Sequence, residues 1–400
     1  MNTTSNRKRR ISAVAILGLA ASVAATGTGL AATTPPSTVH ATAAVAAAAS
    51  PRSFQGALPA PTGSYAAGED VIHLTDTNRP DPWVPSSGPR QLTVTMVYPA
   101  VPGTGTPAPY MTLGEAAGVL QRHKLPESSG VTPQTLAGVT THAFDGARPQ
   151  GGKYPLVVLS PAYENPRTTL TSLATDLASH GYVVALVGHT YEDSGETLAN
   201  GQTPPCAICD APAGLDLDSV AAGRALDESF VIDQLTHGNT AWPLAHLIDK
   251  HEIGTAGHSL GGASAAATMI ADPRVRAGVN MDGSFHPNLL PGQINRPFLM
   301  LGTAENHPTD GHDTTWGRAW TALGGYKKWL TVTDADHFSF SDLYLLLEQA
   351  GFPTPPLSPE RGVAITREYV TAFFDQTLKG IHSPLLDGPS PNNPEVLFQH

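Results

Sequence analysis

Short apolar runs separated by amphipathic stretches dominate the middle of the chain. Gln91–Tyr98 (QLTVTMVY) alternates with period two and predicts a strand on a partly exposed sheet. Leu156–Leu159, Tyr182–Val187, Ile253–Gly257, Ala277–Met281, Phe298–Leu301 and Trp329–Val332 are continuous apolar runs, as strands buried on both faces should be. Between them lie segments of helical spacing: Thr112–His123, Thr168–Ser179, Val220–Leu235, Ala263–Ile270, Asp342–Gln349 and Pro359–Leu378. This β-α-β-α rhythm predicts a mostly parallel sheet with helices on both faces. No linker divides residues 69–390, so they are read as a single domain. Residues 189–216 read as a long irregular loop, rich in Glu, Asp, Asn and Gln.

The N-terminus has a different texture. The basic cluster Arg7, Lys8, Arg9, Arg10 precedes a mild apolar run and a stretch rich in small residues. We read residues 1–49 as an export signal with its processing segment and residues 50–68 as a linker. The expected mature product is secreted and has no stable membrane span, because the run is too rich in Ala, Gly and Thr to cross a bilayer. The whole chain carries a net charge of −11. Removing the signal takes away four positive charges and no negative ones, leaving −15. A surface of that sign repels phosphate backbones, so no nucleic acid partner is expected. The two cysteines, Cys206 and Cys209, stand in a CxxC pair. With no second pair to complete a zinc site and an oxidising destination, a structural disulfide is the expectation.

The candidate chemistry centres on Gly257-His258-Ser259-Leu260-Gly261, with Gly262 following. By itself the pattern is weak in a chain with 39 glycines. Its context is what matters: a strand precedes it and an Ala-rich helix follows. A tight strand-to-helix turn would expose the Ser259 hydroxyl, and glycines relieve the crowding such a turn creates. A serine hydroxyl needs a base to take its proton. In the order Ser, acid, His, the base reads as His337, after the last strand. The acid reads as Asp282, directly after Ala277–Met281, with Glu305 after Phe298–Leu301 as its rival. An oxyanion would need backbone donors. Leu260 supplies one. The other comes from the loop after Leu156–Leu159, where Pro161 has no N–H and leaves Ala162 or Tyr163. The segment His307–Asp313 reads as a solvated loop rather than a metal site. Phe54, Trp83, Trp316, Trp320 and Trp329 read as packing residues.

Three stretches carry a family resemblance: PLVVLSPAYENPRTTLTSLATDLASHGYVVALVGHTYED, GHSLGGASAAATMIADPRVRAGVNMDGSFHP, and PFLMLGTAEN through DADHFSF. Together they span about residues 155–340, with weaker similarity in VTMVYPA. They resemble the platelet-activating-factor acetylhydrolase group of α/β-hydrolases in a bacterial secreted form. The resemblance implies the α/β-hydrolase fold, a Ser259–Asp282–His337 triad with the acid at Asp282 rather than Glu305, and oxyanion donors at Tyr163 and Leu260. It departs at one point: the family's His-Gly is Pro161-Ala162 here, which puts the loop path and acyl pocket in question. The implied activity is a serine esterase for short-acyl esters or short-acyl phospholipids, without cofactor or metal. A long-chain lipase or polyester hydrolase, and a non-catalytic binding protein on a hydrolase scaffold, are the competing readings.

Overall fold

Alternating burial explains why the continuous apolar runs become central strands. In the computed structural model, which describes residues 54–210 and 215–400, Leu156 and Val158 face one core while Val157 and Leu159 face the other. The same split holds for Val183, Ala185 and Val187 against Val184 and Leu186. A strand apolar on both faces must be covered on both. Here Val231, Ile232, Met269 and Trp316 cover one side. Leu173, Leu177, Tyr369 and Phe373 cover the other.

The elements run in order β1 (Ala66–Pro80), β2 (Pro89–Ala100), β3 (Thr106–Pro107), α1 (Leu113–His123), α2 (Pro133–Ala137), β4 (Ala143–Asp145), β5 (Tyr154–Ser160), α3 (Thr171–Ser179), β6 (Val183–His189) and α4 (Leu217–Thr236). Then come β7 (Ile248–His258), α5 (Leu260–Ala271), β8 (Val275–Met281), β9 (Phe298–Thr303), α6 (Thr314–Ala322), β10 (Lys327–Val332), α7 (Leu343–Gln349), α8 (Pro359–Leu378) and β11 (Val396–Phe398). They form one sheet in the order β11-β10-β9-β8-β7-β5-β6-β2-β1-β4-β3. The run from β6 to β10 is parallel, and β2 and β11 join it antiparallel. This is the α/β-hydrolase arrangement. From β5 the chain steps to β6 on one side and then crosses to β7 on the other. In an open α/β sheet the crevice at such a reversal, at the carboxyl ends of the strands, is where ligands bind. Here it lies between Ser160 and His258.

The folded region is longer than the sequence reading allowed. Phe54 and Leu58 are buried with Tyr110, Met111 and Leu346, so part of the expected linker 50–68 is packed structure. At the other end β11 lies beyond residue 390. It pairs with β10, and the Gln399 N–H donates to the Trp329 carbonyl. The expected export signal lies outside the described residues. Among the described residues no helix is long and apolar enough to cross a membrane.

The loop after β6 turns part of its polarity inward. Glu192, Asp193 and Glu196 are buried, not presented to solvent. Glu192 meets Arg224 at 2.7 Å, and Glu196 pairs with Arg167, which is also 3.0 Å from Glu115. Glu192 and Glu196 therefore satisfy internal cations, while Asn200, Gln202 and Asp210 stay exposed. Helix α4 carries the other half of this arrangement: Arg224, Asp227 and Glu228 are buried while Leu226 is 51% exposed.

Glu228 ties α4 to the turn that follows β7. Its carboxyl accepts from Thr255 Oγ1 at 2.7 Å and Ser264 Oγ at 2.9 Å. Burial pushes its pKa up from 4.5 to about 7, against the lowering effect of those hydroxyl donors. The folded state thus keeps a proton that the unfolded chain releases near 4.5. Stability contributed by this group is present at low pH and is lost as pH rises toward 7. Glu228→Gln keeps the shape without the titration. Urea unfolding should show the variant gaining on the native protein between pH 5 and pH 8. A stability difference independent of pH would contradict this.

Candidate active site

Three strand ends build the site. Parallel register sets Ser160 beside Gly257, and His258 beside Met281. Ser259 and Asp282 therefore leave adjacent strands at the same level. The Ser259 N–H donates to the Met281 carbonyl at 2.8 Å, and the Asp282 N–H to the Leu301 carbonyl at 2.9 Å. Both residues have φ of 56°, in the left-handed region that L side chains enter at a cost. The turn at Ser259 is tight enough to exclude side chains around it. A Cβ on Gly257 would lie 2.2 Å from the Gly261 carbonyl, and one on Gly261 would lie 2.0 Å from the Ser160 oxygen. The glycines are required by this close approach of β7, α5 and the end of β5.

His337 begins a short 3-10 turn after β10. Asp336 caps that turn by accepting from the Phe338 N–H, and Ser339 Oγ accepts from the Asp336 N–H. The ring's Nδ1 lies 2.6 Å from Asp282 Oδ2 and its Nε2 lies 2.9 Å from Ser259 Oγ. The other oxygen of Asp282 accepts from the Thr303 N–H at 2.6 Å. Burial pushes the Asp282 carboxyl up, but the His337 hydrogen bond and the neighbouring His307 and His337 outweigh it, so its pKa lies below the usual carboxylate value. Asp282 is thus a buried anion in contact with a partly exposed imidazole. Such an arrangement fixes the Nδ1–H tautomer and leaves Nε2 free to accept a hydroxyl proton. Glu305 is exposed and makes no hydrogen bond to His337 among the described residues.

Leu260 opens α5, and the first amides of a helix have no intrahelical partner. Tyr163 follows β5 in the loop facing it. Its hydroxyl donates to the Ile208 carbonyl at 2.5 Å. Ile208 lies between Cys206 and Cys209, which form a disulfide, and it packs with Leu260, Val220 and Ala263. The disulfide loop therefore rests against both Tyr163 and Leu260.

Two histidines at the site carry roles that spacing did not suggest. His258 donates from Nε2 to the His337 carbonyl at 2.6 Å, holding the turn that carries the His337 ring. Its burial pushes its pKa down to about 3, with the nearby His337 adding to the effect, so the ring stays neutral. His307 was expected in a solvated loop, yet it is only 4% exposed. It stacks on Trp316 at 4.1 Å between centroids, and its Nε2 lies 3.3 Å from Asp282 Oδ1. The motif x-position of His258 and the strand-end position of His307 were the only signals available. Trp316 and Trp329 are fully buried, as packing residues should be.

Among the described residues, His189, Glu192 and Asp227 bring three potential metal-ligand atoms within 4.8 Å of one another. Guanidinium groups already supply the positive charge there. Arg90 contacts Asp227 at 2.7 Å and Glu192 at 3.4 Å, while Arg224 contacts Glu192 at 2.7 Å.

Comparison with known proteins agrees with this architecture. The family model described as platelet-activating factor acetylhydrolase, isoform II, matches residues 121–203 and 224–351. A protein named probable 1-alkyl-2-acetylglycerophosphocholine esterase from Arthroderma benhamiae is 25% identical over 384 residues, covering 85% of this chain and 93% of that protein. The platelet-activating factor acetylhydrolase of Bos taurus is 28% identical over 201 residues, covering 41% of this chain and 43% of its own length. Among solved structures, the ferulic acid esterase from Streptomyces cinnamoneus superposes with a TM-score of 0.76 at 39% identity. That match covers 86% of this chain and 99% of the esterase.

Proposed function

The chain belongs to the platelet-activating factor acetylhydrolase, isoform II, family and is a carboxylic ester hydrolase; from that premise we propose a secreted serine esterase that works through Ser259, His337 and Asp282. The observation that carries this reading is the continuous contact from Ser259 Oγ to His337 Nε2 and from His337 Nδ1 to Asp282 Oδ2. Ser259 Oγ attacks the ester carbonyl carbon as its proton passes to His337 Nε2. The negative charge that develops on the carbonyl oxygen is met by the N–H groups of Leu260 and Tyr163. His337 then returns the proton to the leaving alcohol, and the acyl group stays on Ser259. Water, deprotonated by the same ring, releases the acid. Asp282 holds the ring's orientation and stabilises the imidazolium.

The proposed substrates are esters of short acids, including short-acyl phospholipids. Support comes from the relatives named for an acetylated glycerophosphocholine and for platelet-activating factor. Glu192, Asp193 and Glu196 of the loop after β6 face inward and form no polar cover of the site. The described part of that segment before α4 does contain no helix that could present an apolar face to lipid. A second reading is favoured by the 39% identity to a ferulic acid esterase, namely that the acyl group is a small aromatic acid. Secretion rests on the basic and apolar pattern of residues 1–49.

The acid assignment is tested by substitution. Asp282→Asn should lower kcat by about 10⁴-fold with little change in KM, because the amide favours the wrong imidazole tautomer. Glu305→Gln should leave kcat within a few-fold of native. The reverse ranking would move the acid to Glu305.

Substrate class is tested by kcat/KM across p-nitrophenyl esters from acetate to palmitate, with methyl ferulate alongside. Each buried CH₂ adds about 0.8 kcal/mol of binding where a groove receives it. We expect an early plateau and decline along the linear series. A maximum at long chains with a jump at micelle formation would instead identify a lipase. Methyl ferulate exceeding every linear ester would identify the aromatic reading.

A further inference from the structure

A buried polar network outside the triad reaches the loop that carries the second oxyanion donor. Arg224, on α4, is 1% exposed. Its Nε donates to Glu192 Oε2 at 2.7 Å. Its Nη1 donates to the Pro161 carbonyl at 2.6 Å and lies 3.4 Å from Ser160 Oγ. Ser160 Oγ is 2.9 Å from His189 Nε2, and His189 Nδ1 is 3.0 Å from Asp227 Oδ2. Burial, with Arg224 nearby, pushes the His189 pKa down, so that ring is neutral. Its Nδ1–H donates to Asp227, and its Nε2 accepts from Ser160. This Ser–His–Asp series copies the layout of the active one, but Ser160 is fully buried and faces no substrate.

The consequence lies in the peptide planes. A trans peptide is planar, with its C=O and N–H pointing in opposite directions, so fixing the carbonyl also fixes the following amide. Arg224 fixes the Pro161 carbonyl. The Ala162 carbonyl accepts from the Asn165 N–H at 3.2 Å. That bond sets the plane whose other end is the Tyr163 N–H. The Tyr163 carbonyl accepts from Asn165 Nδ2 at 2.9 Å. Three successive planes are therefore pinned, in a loop where Glu164 has φ of 66°. Pro161 contributes no N–H of its own, so the loop gains no hydrogen bond from that residue's nitrogen, and its carbonyl is the only backbone handle Pro161 offers.

We propose that Arg224 is a positioning residue for the reaction: by pinning the Pro161–Ala162 plane on one side, with Asn165 Nδ2 pinning the Tyr163–Glu164 plane on the other, it holds the intervening plane whose Tyr163 N–H faces the oxyanion. This rests on the triad reading above. Arg is suited to the task because its planar fork serves Glu192 and the Pro161 carbonyl together, while a lysine ammonium is a point charge on a flexible stem.

The test uses Arg224→Lys, which keeps a positive charge beside Glu192, and Asn165→Ala, which leaves the ion pairs untouched. Folding is checked by circular dichroism and thermal midpoint. Both variants are assayed for kcat and KM, and for affinity toward a trifluoromethyl ketone, whose serine adduct carries a tetrahedral oxyanion. A displaced donor should cost about 10- to 100-fold in kcat. KM should stay within a few-fold, and ketone affinity should fall by the same factor as kcat. If Arg224→Lys does not fold, Arg224→Gln, which removes the fork that serves Glu192 and the Pro161 carbonyl together, is read in its place. Native kcat in the folded variants, or lost kcat with unchanged ketone affinity, would overturn the proposal. Ser259→Ala is run alongside. If Ser259→Ala retains turnover, the triad reading itself fails. If it is inactive while the positioning variants keep native kcat, only this proposal fails.

Discussion

The close approach of backbone at the ends of β5, β7 and β8 is the constraint on which the site depends. Gly257 and Gly261 leave no space for a Cβ against the neighbouring chain, and a Cβ on Gly283 would lie 2.0 Å from the Ser259 carbonyl. That contact brings the first turn of α5 against Ser160 and sets Asp282 one strand away from Ser259. The positive φ at Ser259 and Asp282 is the strain this crowding requires. Parallel pairing on both sides of β7 holds it, because neither neighbour can shift without breaking register with the rest of the sheet.

Charge burial is the second requirement. Arg90, Arg224, Asp227 and Glu192 are each about 1% exposed, and together they form ion pairs without solvent. Removing one partner of such a set leaves a buried unpaired charge, which costs about 3–5 kcal/mol. Replacing a whole set by apolar groups is often neutral, so stability alone does not account for it. Its location is what the positioning proposal draws on: the network lies behind the loop from Ser160 to Asn165. Glu228 performs a similar mechanical task for the two arms of the Ser259 turn, using neutral hydroxyl partners.

The central sheet was legible because strands buried on both faces leave continuous apolar runs, and Leu156–Leu159, Tyr182–Val187 and Phe298–Leu301 are such runs. Ser259 and Asp282 were legible as candidates because each directly follows a strand, and His337 because it lies in the segment after the last parallel strand, β10. Strand β1 was not legible, since Glu69 and Asp70 interrupt its apolar pattern; Glu69 is nonetheless buried. The three-residue edge strand β11 is too short to leave a periodic signal. Arg224, His189 and Asp227 escaped notice for a deeper reason. Charged residues on a helix normally mark its solvent face, and α4 inverts that rule because its partners come from distant segments. Glu192 and Glu196 escaped notice in the same way, because acids in a polar loop do not announce that they neutralise buried arginines. His307 shows that a loop dense in polar residues can still bury one of them.

The most direct test of the account is covalent labelling by a fluorophosphonate, followed by intact mass and peptide mapping. Among the described residues, Ser259 and Ser160 both stand in Ser–His–Asp series, and Ser160 is fully buried. The account predicts a single adduct, on the peptide that carries Ser259, with turnover lost in proportion to labelling. Turnover that survives complete labelling, or inactivation that maps to any serine other than Ser259, would contradict it.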